Sequence, residues 1–145
     1  MLHQGHLKRL EEAKKLGDYL YVGLWDDDMV RYYKGAMLPI LSVQERLLML
    51  LSCKHVDDVV IGAPFIITED LIKSLNIKKV VQVVNTEEDQ VLEEFKGIDQ
   101  FAIPREKGIL EEVSLDDEFY NMTTEKLTER VFNNKAQFDL KFAKK

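Results

Sequence analysis

The sequence is short of several residue types, and each shortage argues against a class of protein. One cysteine, Cys53, stands among 145 residues, so the chain forms no intramolecular disulfide and no zinc site built from cysteines. Three prolines and seven glycines are too few for a collagen-like chain or a flexible linker. The longest apolar run, 47–51, falls far short of the roughly 20 residues of a membrane helix, so we expect no stable membrane insertion.

Basic residues are also in the minority. Twenty Lys and Arg stand against 26 Asp and Glu, which gives a formal charge of −6 and a pI near 5.1. This balance argues against a nucleic-acid partner, although it leaves room for a local basic pocket. With 46% hydrophobic residues, a chain of this length is expected to fold as one soluble domain. The amino terminus has no signal-peptide pattern, so we expect a cytoplasmic location.

What the sequence does contain is an alternation of helical and strand periods. Apolar residues at helical spacing over 5–16 predict a first helix, and 19–24 (YLYVGL) predicts a buried strand. Residues 26–39 are predicted to form a polar loop. The further predicted elements are helices opened by capping residues Ser42 and Thr68, strands at 56–62, 79–84 and 109–113, a helix at 89–95, and a last helix from Thr123 to about 135. This order predicts an α/β fold with a doubly wound parallel sheet.

The first helix opens on a pair of histidines. His3 and His6 are three positions apart, so their imidazoles are expected on one side of the first turn, where free backbone N–H groups attract an anion. Gly5 between them would let such a ligand approach the backbone. The alternatives are a tag remnant or incidental surface histidines.

Three further places could hold an anion or a nucleotide. Lys34 precedes Gly35 in the predicted loop, and Thr123 and Thr124 stand at the start of the last helix. Lys54 lies in a charged stretch between a helix and a strand. The ordinary alternatives are a solvated lysine, a simple helix cap and a solvated junction. No glycine-rich dinucleotide or triphosphate loop is present, and three histidines without regular ligand spacing predict no metal site.

Taken together and in order, these segments resemble the cytidylyltransferase family of nucleotidyltransferases, which share an HxGH motif. The resemblance is strongest to the C-terminal repeat of the ethanolamine-phosphate branch. The matching segments are HQGH at 3–6, GDYLYVGL at 17–24, YYKG at 32–35, PILSVQER at 39–46, SCKHVDDVVIGAPF at 52–65 and MTT at 122–124. The ordered set is far more specific than any one segment. It implies a Rossmann-like sheet of the nucleotidyltransferase type.

The resemblance also implies the reaction. CMP passes from CTP to phosphoethanolamine, which yields CDP-ethanolamine and pyrophosphate for phosphatidylethanolamine synthesis. Such chemistry depends on positioning and on neutralising phosphate charge, with Mg²⁺ arriving on the nucleotide and no tightly bound cofactor. By their places in the motifs, the catalytic residues would be His3, His6 and Lys34. The nucleotide-binding residues would be Gly5, Lys54, Thr123 and Thr124, and the amine headgroup would contact Asp27 and Phe65.

Three segments depart from the family pattern. Residues 83–85 are Val-Val-Asn where the family has His-Gly or His-Asp, Trp25 replaces a polar residue or histidine, and 118–121 replace an Arg-Thr-Glu-Gly segment. Each change removes a polar contact from a site that works by charge neutralisation. Two alternatives therefore stay open: a non-catalytic nucleotide-binding or structural repeat that packs on a sibling repeat or in a homodimer, and an enzyme specific for phosphocholine.

One more expectation concerns the strand that precedes the first helix in this family. In this family a buried strand leads into the histidine-containing helix and forms the middle of the sheet, yet Met1 and Leu2 are the residues that precede His3. The resemblance therefore implies a domain over residues 1–135 without its first, central strand, followed by a frayed tail at 136–145. We predict an unfilled slot between the strands near Tyr19 and Val56, or a neighbour's strand in that slot.

Overall fold

Helices and short parallel strands alternate along the chain. The computed structural model describes residues 2–84, 97–114 and 124–142. The helices in these ranges are α1 (Gln4–Lys14), α2 (Asp27–Lys34), α3 (Val43–Leu51), α4 (Glu69–Ser74), α5 (Ala102–Glu106), α6 (Thr124–Asn133) and α7 (Lys135–Phe142). The strands are β1 (Tyr21–Leu24), β2 (Asp58–Ile61), β3 (Val80–Val84) and β4 (Leu110–Ser114). No described helix is long and apolar enough to cross a membrane.

The strands pair in parallel, as the alternation predicts. β1 pairs with β2, with Leu24 opposite Ile61, and β3 pairs with β4, with Val80 opposite Leu110. Within the described ranges these four strands form two separate two-stranded sheets. The α/β class and the predicted strands are therefore confirmed, and β4 occupies the stretch predicted as an edge strand.

The position predicted for the unfilled slot is wrong. The strands near Tyr19 and Val56 pair directly, and the Leu20 carbonyl already accepts the N–H groups of Asp57 (3.1 Å) and Asp58 (3.3 Å). That edge of β1 is therefore fully used by β2. An open space of about 810 Å³ lies instead between residues 18–23 and residues 77–81, which belong to different sheets.

The core sits where the carboxyl end of β1 meets the turn after β2. Gly23 belongs to this contact, because a Cβ there would lie 3.0 Å from the Cβ of Ala63. The close approach holds Trp25 and Phe65 against each other on the two sides of the turn, with ring centroids 5.4 Å apart. The most deeply buried apolar residues are Leu24, Val30, Leu50, Ala63, Phe65, Ile72, Val80 and Pro104.

The predicted loop at 26–39 contains a helix, α2. Asp26 caps it, because its Oδ1 accepts the backbone N–H of Met29 at 2.7 Å, and two more aspartates follow in the first turn, where the helix dipole favours negative charge. Val30 is buried and anchors one face. Three consecutive aspartates looked like loop residues, but the first is a cap. Lys34 therefore ends a helix, and Gly35 follows it at φ 96°.

The other predicted caps are confirmed. Ser42 and Glu45 form a capping box at α3, and Thr68 accepts the N–H of Leu71 at the start of α4. The short helix α5 was not predicted. The predicted frayed tail is instead helical from Lys135 to Phe142, in a stretch that contains good helix formers. The helix predicted at 89–95 lies outside the described residues.

Replacing Asp26 tests the cap of α2. Asp26→Ala removes the acceptor for the Met29 N–H and should lower the free energy of unfolding by about 1 kcal/mol. The matched control is Asp28→Ala, because the Asp28 side chain is 93% exposed and pairs with Arg31 on the surface. That change should stay within about 0.5 kcal/mol. Urea denaturation measures both, and equal losses would contradict the assigned cap.

Candidate functional site

The direction of α1 decides which end of the sheet the histidines face. At the carboxyl end of α1, Lys14 Nζ donates to Asp57 Oδ2 at 2.6 Å, immediately before β2 begins. At its amino end, Leu2 and His6 line a cavity of about 300 Å³ together with residues 22–24 at the end of β1. α1 therefore runs opposite to β1 and β2. Its free N–H groups lie where the parallel strands end, which is the usual ligand-binding edge of such sheets.

The two histidines form a contact pair at this edge. The ring centroids of His3 and His6 are 4.0 Å apart, and the rings are inclined by 61°. His3 is the N-cap residue and has extended backbone angles, and Gly5 is the buried residue of α1. The spacing of three residues places both imidazoles on one side of the first turn, as the sequence predicts.

His6 is an uncharged group in positive surroundings. Its Nδ1 atom is buried and has no hydrogen-bond partner among the described residues. The pKa of His6 is lowered to about 3, mainly by burial and in addition by the electrostatic influence of His3, Arg9 and Lys34. The imidazole is therefore neutral at pH 7. A bound anion would oppose the positive field and raise this pKa.

The residues that act on His6 define a histidine cluster: His3, His6, Arg9 and Lys34. Two parts of the chain supply it, because Lys34 comes from the carboxyl end of α2 and the others from the start of α1. The structure thus brings three predicted catalytic residues into one electrostatic environment. Arg9 was missed. A signal was present, since Arg9 follows His6 by the same three positions that separate His6 from His3.

Asp27, predicted to hold an amine, already has a cationic partner. Arg46 Nη2 donates to Asp27 Oδ1 at 2.6 Å, and the two side chains are 14% and 26% exposed, respectively. This hydrogen bond is the main reason that the pKa of Asp27 lies below its usual range. Arg46 Nη1 also donates to the Trp25 carbonyl at 2.8 Å. Arg46 therefore joins α3 to the junction of β1 and α2, a role visible only in the folded chain.

Phe65 is the buried member of a group of three aromatic residues. The Phe65 side chain is buried, and its ring stacks on Tyr33 with centroids 3.9 Å apart and an angle of 10°. Trp25 and Tyr33 are both half-buried and therefore closer to solvent than Phe65, and their ring centroids are 5.9 Å apart. We call Trp25, Tyr33 and Phe65 the aromatic cluster. It lies at the carboxyl end of β1, since Trp25 directly follows that strand.

Lys54 is not brought to this edge. It is exposed in the turn between α3 and β2, on the amino side of β2. Asp57, three residues later, contacts the carboxyl end of α1, so Lys54 lies at the opposite end of α1 from His3 and His6. The sequence carried a signal for this, because Lys54 precedes the strand predicted at 56–62 and therefore lies at its amino end, whereas ligands bind at the carboxyl ends of parallel strands.

The threonine motif is described in part. Thr124 begins α6 and is half-buried, and its carbonyl accepts the Thr128 hydroxyl at 2.9 Å. Thr123 lies outside the described residues. That these threonines lie close to the histidine cluster stays a prediction. Among residues 2–84, 97–114 and 124–142, no group of three or more His, Cys, Asp or Glu side chains is placed to hold a metal ion.

Comparison with known proteins identifies the family. The sequence profile described as "Cytidylyltransferase-like" matches residues 1–131. The chain belongs to the cytidylyltransferase-like family. The resemblance found in the motifs is confirmed, and the alternating helices and parallel strand pairs of this cytidylyltransferase-like domain agree with a Rossmann-like nucleotidyltransferase fold.

The matching relatives are considerably longer than this domain. An ethanolamine-phosphate cytidylyltransferase of Dictyostelium discoideum is 41% identical over all 145 residues, which are 39% of that protein. Proteins of the same name from Arabidopsis thaliana and Mus musculus are 33% and 31% identical over the whole chain, which covers 33% and 35% of their lengths. The chain therefore spans about two fifths of these relatives or less.

The depressed pKa of His6 predicts a fold that weakens in mild acid. His6 has a pKa near 6.5 when unfolded and about 3 when folded, so between these values the unfolded state binds one more proton. The free energy of unfolding should therefore fall as the pH falls through this window, by up to about 1.4 kcal/mol per pH unit from this group. His6→Gln removes that contribution and should flatten the curve measured by urea unfolding.

His55→Gln is the matched control for this experiment. His55 is the third histidine and lies in the turn before β2, at the other end of α1 from His6. This variant should keep the pH dependence of the parent chain. A slope that is equally steep in His6→Gln and in the parent would contradict the assignment of a neutral, buried His6.

Proposed function

We propose that this domain transfers CMP from CTP to phosphoethanolamine, yielding CDP-ethanolamine and pyrophosphate for phosphatidylethanolamine synthesis in the cytoplasm. The observation that supports it best is the histidine cluster at the amino end of α1, where His3 and His6 are in contact and Arg9 and Lys34 act on His6. The relatives named above are called ethanolamine-phosphate cytidylyltransferases, which supports the same reaction.

The cluster suits a triphosphate. The amino end of α1 offers free backbone N–H groups and the positive end of the helix dipole. Gly5 has no side chain to keep a phosphate away from this turn, and Arg9 and Lys34 supply positive charge from two helices. In the proposal His3 and His6 contact the CTP phosphates, and Thr123 and Thr124 complete the site from the start of α6. The overall charge of −6 makes this positive pocket a local exception.

The chemistry requires positioning and charge neutralisation. A phosphate oxygen of phosphoethanolamine forms a bond to the α-phosphorus of CTP, and the bond from that phosphorus to the bridging oxygen of pyrophosphate breaks. Negative charge grows on the transferring group and on the leaving pyrophosphate. A neutral His6 can donate a hydrogen bond to these oxygens, and their growing negative charge opposes the field that depresses its pKa.

Mg²⁺ belongs to the nucleotide in this proposal. Magnesium commonly binds through one or two carboxylates together with substrate phosphates and retained waters, rather than in an all-protein cage. In the proposal the histidine cluster binds the phosphates through cationic and imidazole groups, and the phosphates themselves hold the ion. CTP would therefore enter with its ion already bound.

The aromatic cluster is the proposed site for the amine headgroup. An ammonium is attracted to an aromatic face, and Trp25 and Tyr33 stand in front of the buried Phe65. Phe65 then acts by supporting Tyr33 rather than by touching the amine. Asp27 adds negative charge to the same junction while Arg46 holds its carboxylate in place. A quaternary amine would fit the same chemistry, so phosphocholine is the competing substrate.

A non-catalytic role is the second candidate function. It is favoured by the two separate sheets and by the length of the relatives, of which the Dictyostelium protein is matched over 39%. In this case the domain binds CTP through the histidine cluster but works only as one repeat beside a sibling repeat or in a homodimer. CTP binding without turnover is the result that this candidate predicts.

A pyrophosphate-release assay tests the proposal. CTP, Mg²⁺ and phosphoethanolamine or phosphocholine are supplied in parallel, with CTP binding measured separately by isothermal titration. Turnover should be faster with phosphoethanolamine, and His6→Ala should reduce the rate at least about a hundredfold, since it removes a contact to the transferring phosphates. His55→Ala is the control and should keep the parent rate.

Each result has a definite reading. No detectable heat at about millimolar CTP would reject the enzyme and a CTP-binding repeat, and would leave a purely structural repeat as the remaining candidate. Binding without pyrophosphate release would reject the enzyme and support the non-catalytic repeat. An unchanged rate in His6→Ala would refute the role given to His6, and faster turnover with phosphocholine would replace the amine assigned to the headgroup site.

A further inference from the structure

Arg9 lies half-buried beside His6 in the cavity at the carboxyl end of β1. This cavity has a volume of about 300 Å³, and Arg46 supplies a second guanidinium to its wall. The other lining residues are uncharged, and four of them are leucines. His6 and Arg9 are three positions apart on α1, which makes them neighbours on the surface of the helix. We call this space the arginine cavity.

The Arg46 side chain is engaged by the protein itself. Its Nη1 donates to the Trp25 carbonyl at 2.8 Å, and its Nη2 donates to Asp27 Oδ1 at 2.6 Å. Its Nε donates to the Leu41 carbonyl at 3.2 Å. The carboxylate of Asp27 also balances the charge of Arg46. Arg46 is therefore a structural cation, whose donors hold parts of the chain together.

Arg9 has no comparable partner. Among residues 2–84, 97–114 and 124–142, its guanidinium makes no hydrogen bond and no ion pair. The preceding residue, Lys8, pairs with Glu11 at 2.8 Å and with Glu12 at 2.9 Å. A partly buried charge without a partner destabilises a folded chain, because it loses water that no protein group replaces. Two adjacent cations of α1 thus differ, since the chain satisfies Lys8 and leaves Arg9 unsatisfied.

The arginine cavity has the chemistry of a phosphate site. A guanidinium presents its N–H groups as a planar fork that holds two phosphate oxygens at once. The imidazole of His6 is on the same wall, and its buried Nδ1 has no hydrogen-bond partner among the described residues. The leucines around these groups keep the local dielectric low, which strengthens an ion pair. A phosphate group would therefore give Arg9 the partner that it lacks.

We propose that Arg9 binds the pyrophosphate part of CTP and neutralises the charge that this part gains as it leaves. The inference rests on the proposed function. When the bond from the α-phosphorus to the bridging oxygen breaks, its electron pair stays on that oxygen, and the departing pyrophosphate gains one negative charge. A guanidinium bound to it offsets this charge, so Arg9 is assigned as a catalytic residue in addition to His3, His6 and Lys34.

The spacing along α1 favours the triphosphate over phosphoethanolamine as the ligand of Arg9. His3 and Arg9 are six residues apart, which corresponds to about 9 Å along the axis of a helix. A row of three phosphates extends far enough to reach from the histidines to Arg9. The single phosphate of phosphoethanolamine does not, because it can occupy one place on this row at a time.

Replacing Arg9 by methionine should change stability and binding in opposite directions. Arg9→Met keeps an unbranched stem against the leucines but removes the unpaired charge. The free chain should therefore unfold at a temperature about 2 °C higher or more. Pyrophosphate and CTP should bind at least about tenfold more weakly, because a charge-assisted hydrogen bond is lost. Arg46→Met should instead lower the unfolding temperature, because it leaves Asp27 without its partner.

Isothermal titration of the full chain measures binding of pyrophosphate, CTP and phosphoethanolamine, each with Mg²⁺. Lys8→Met is the matched control, because it removes the same charge from the adjacent residue, and its affinities should stay within about twofold of the parent. In the pyrophosphate-release assay, Arg9→Met should lower kcat at least about tenfold and leave KM for phosphoethanolamine within about twofold. Arg9→Lys keeps the charge without the fork and should recover part of the loss.

The outcomes separate this inference from the proposed function. Equal pyrophosphate affinity in Arg9→Met and Lys8→Met would overturn the role of Arg9, even if the parent chain turns over. A loss confined to phosphoethanolamine would reject it too, by assigning Arg9 to the other substrate. Failure of Arg9→Met to fold, or a lower unfolding temperature, would identify a structural arginine and contradict the proposal.

A parent chain without turnover would reject the proposed reaction alone. In that case a tenfold loss of pyrophosphate affinity in Arg9→Met, with Lys8→Met unchanged, would still support Arg9 as a pyrophosphate-binding residue. No detectable heat from pyrophosphate or CTP in the parent would reject both the binding role of Arg9 and the proposed reaction.

Discussion

The contact between the end of α1 and the start of β2 determines how the domain can work. Lys14 Nζ donates to Asp57 Oδ2 and to the Asp18 carbonyl, each at 2.6 Å, which places the carboxyl end of α1 at the amino end of β2, so that α1 runs opposite to the parallel strands. His3 and His6 consequently lie where β1 ends. The aromatic cluster and the carboxyl end of α2 lie at this same end of β1. If α1 ran the other way, the same histidines would lie beside Lys54.

The electrostatic character of this end follows from the burial of one imidazole among positive charges. His6 is neutral because desolvation and its cationic neighbours oppose protonation. In the proposed function, a bound phosphate would oppose this positive field and raise the pKa of His6. Arg46 stabilises the adjacent junction by holding Asp27 and the Trp25 carbonyl. The proposed phosphate subsite and the proposed aromatic subsite for the amine therefore lie at one edge of a domain whose overall charge is negative.

Sequence reasoning was reliable where the cause is local. The caps at Ser42 and Thr68 and the pairing of His3 with His6 depend on residues within one turn. Features set by distant parts of the chain were missed. The partner of β1 is a matter of strand order, so a gap was predicted where β1 and β2 pair directly. α2 was missed because Asp26 is recognised as a helix cap only from its hydrogen bond with the Met29 N–H. The contacts of Arg46 were missed because its partners, Trp25 and Asp27, lie about twenty residues earlier in the chain.

The central claim is that the histidine cluster binds the phosphates of CTP, and the protonation of His6 tests it most directly. Histidine side-chain NMR would follow the pKa of His6 without ligand and with saturating CTP and Mg²⁺. The account predicts a pKa of about 3 in the free domain and a clear rise when CTP is bound, because the triphosphate opposes the positive field. An imidazole signal and pKa of His6 that are the same with and without bound CTP would contradict the account.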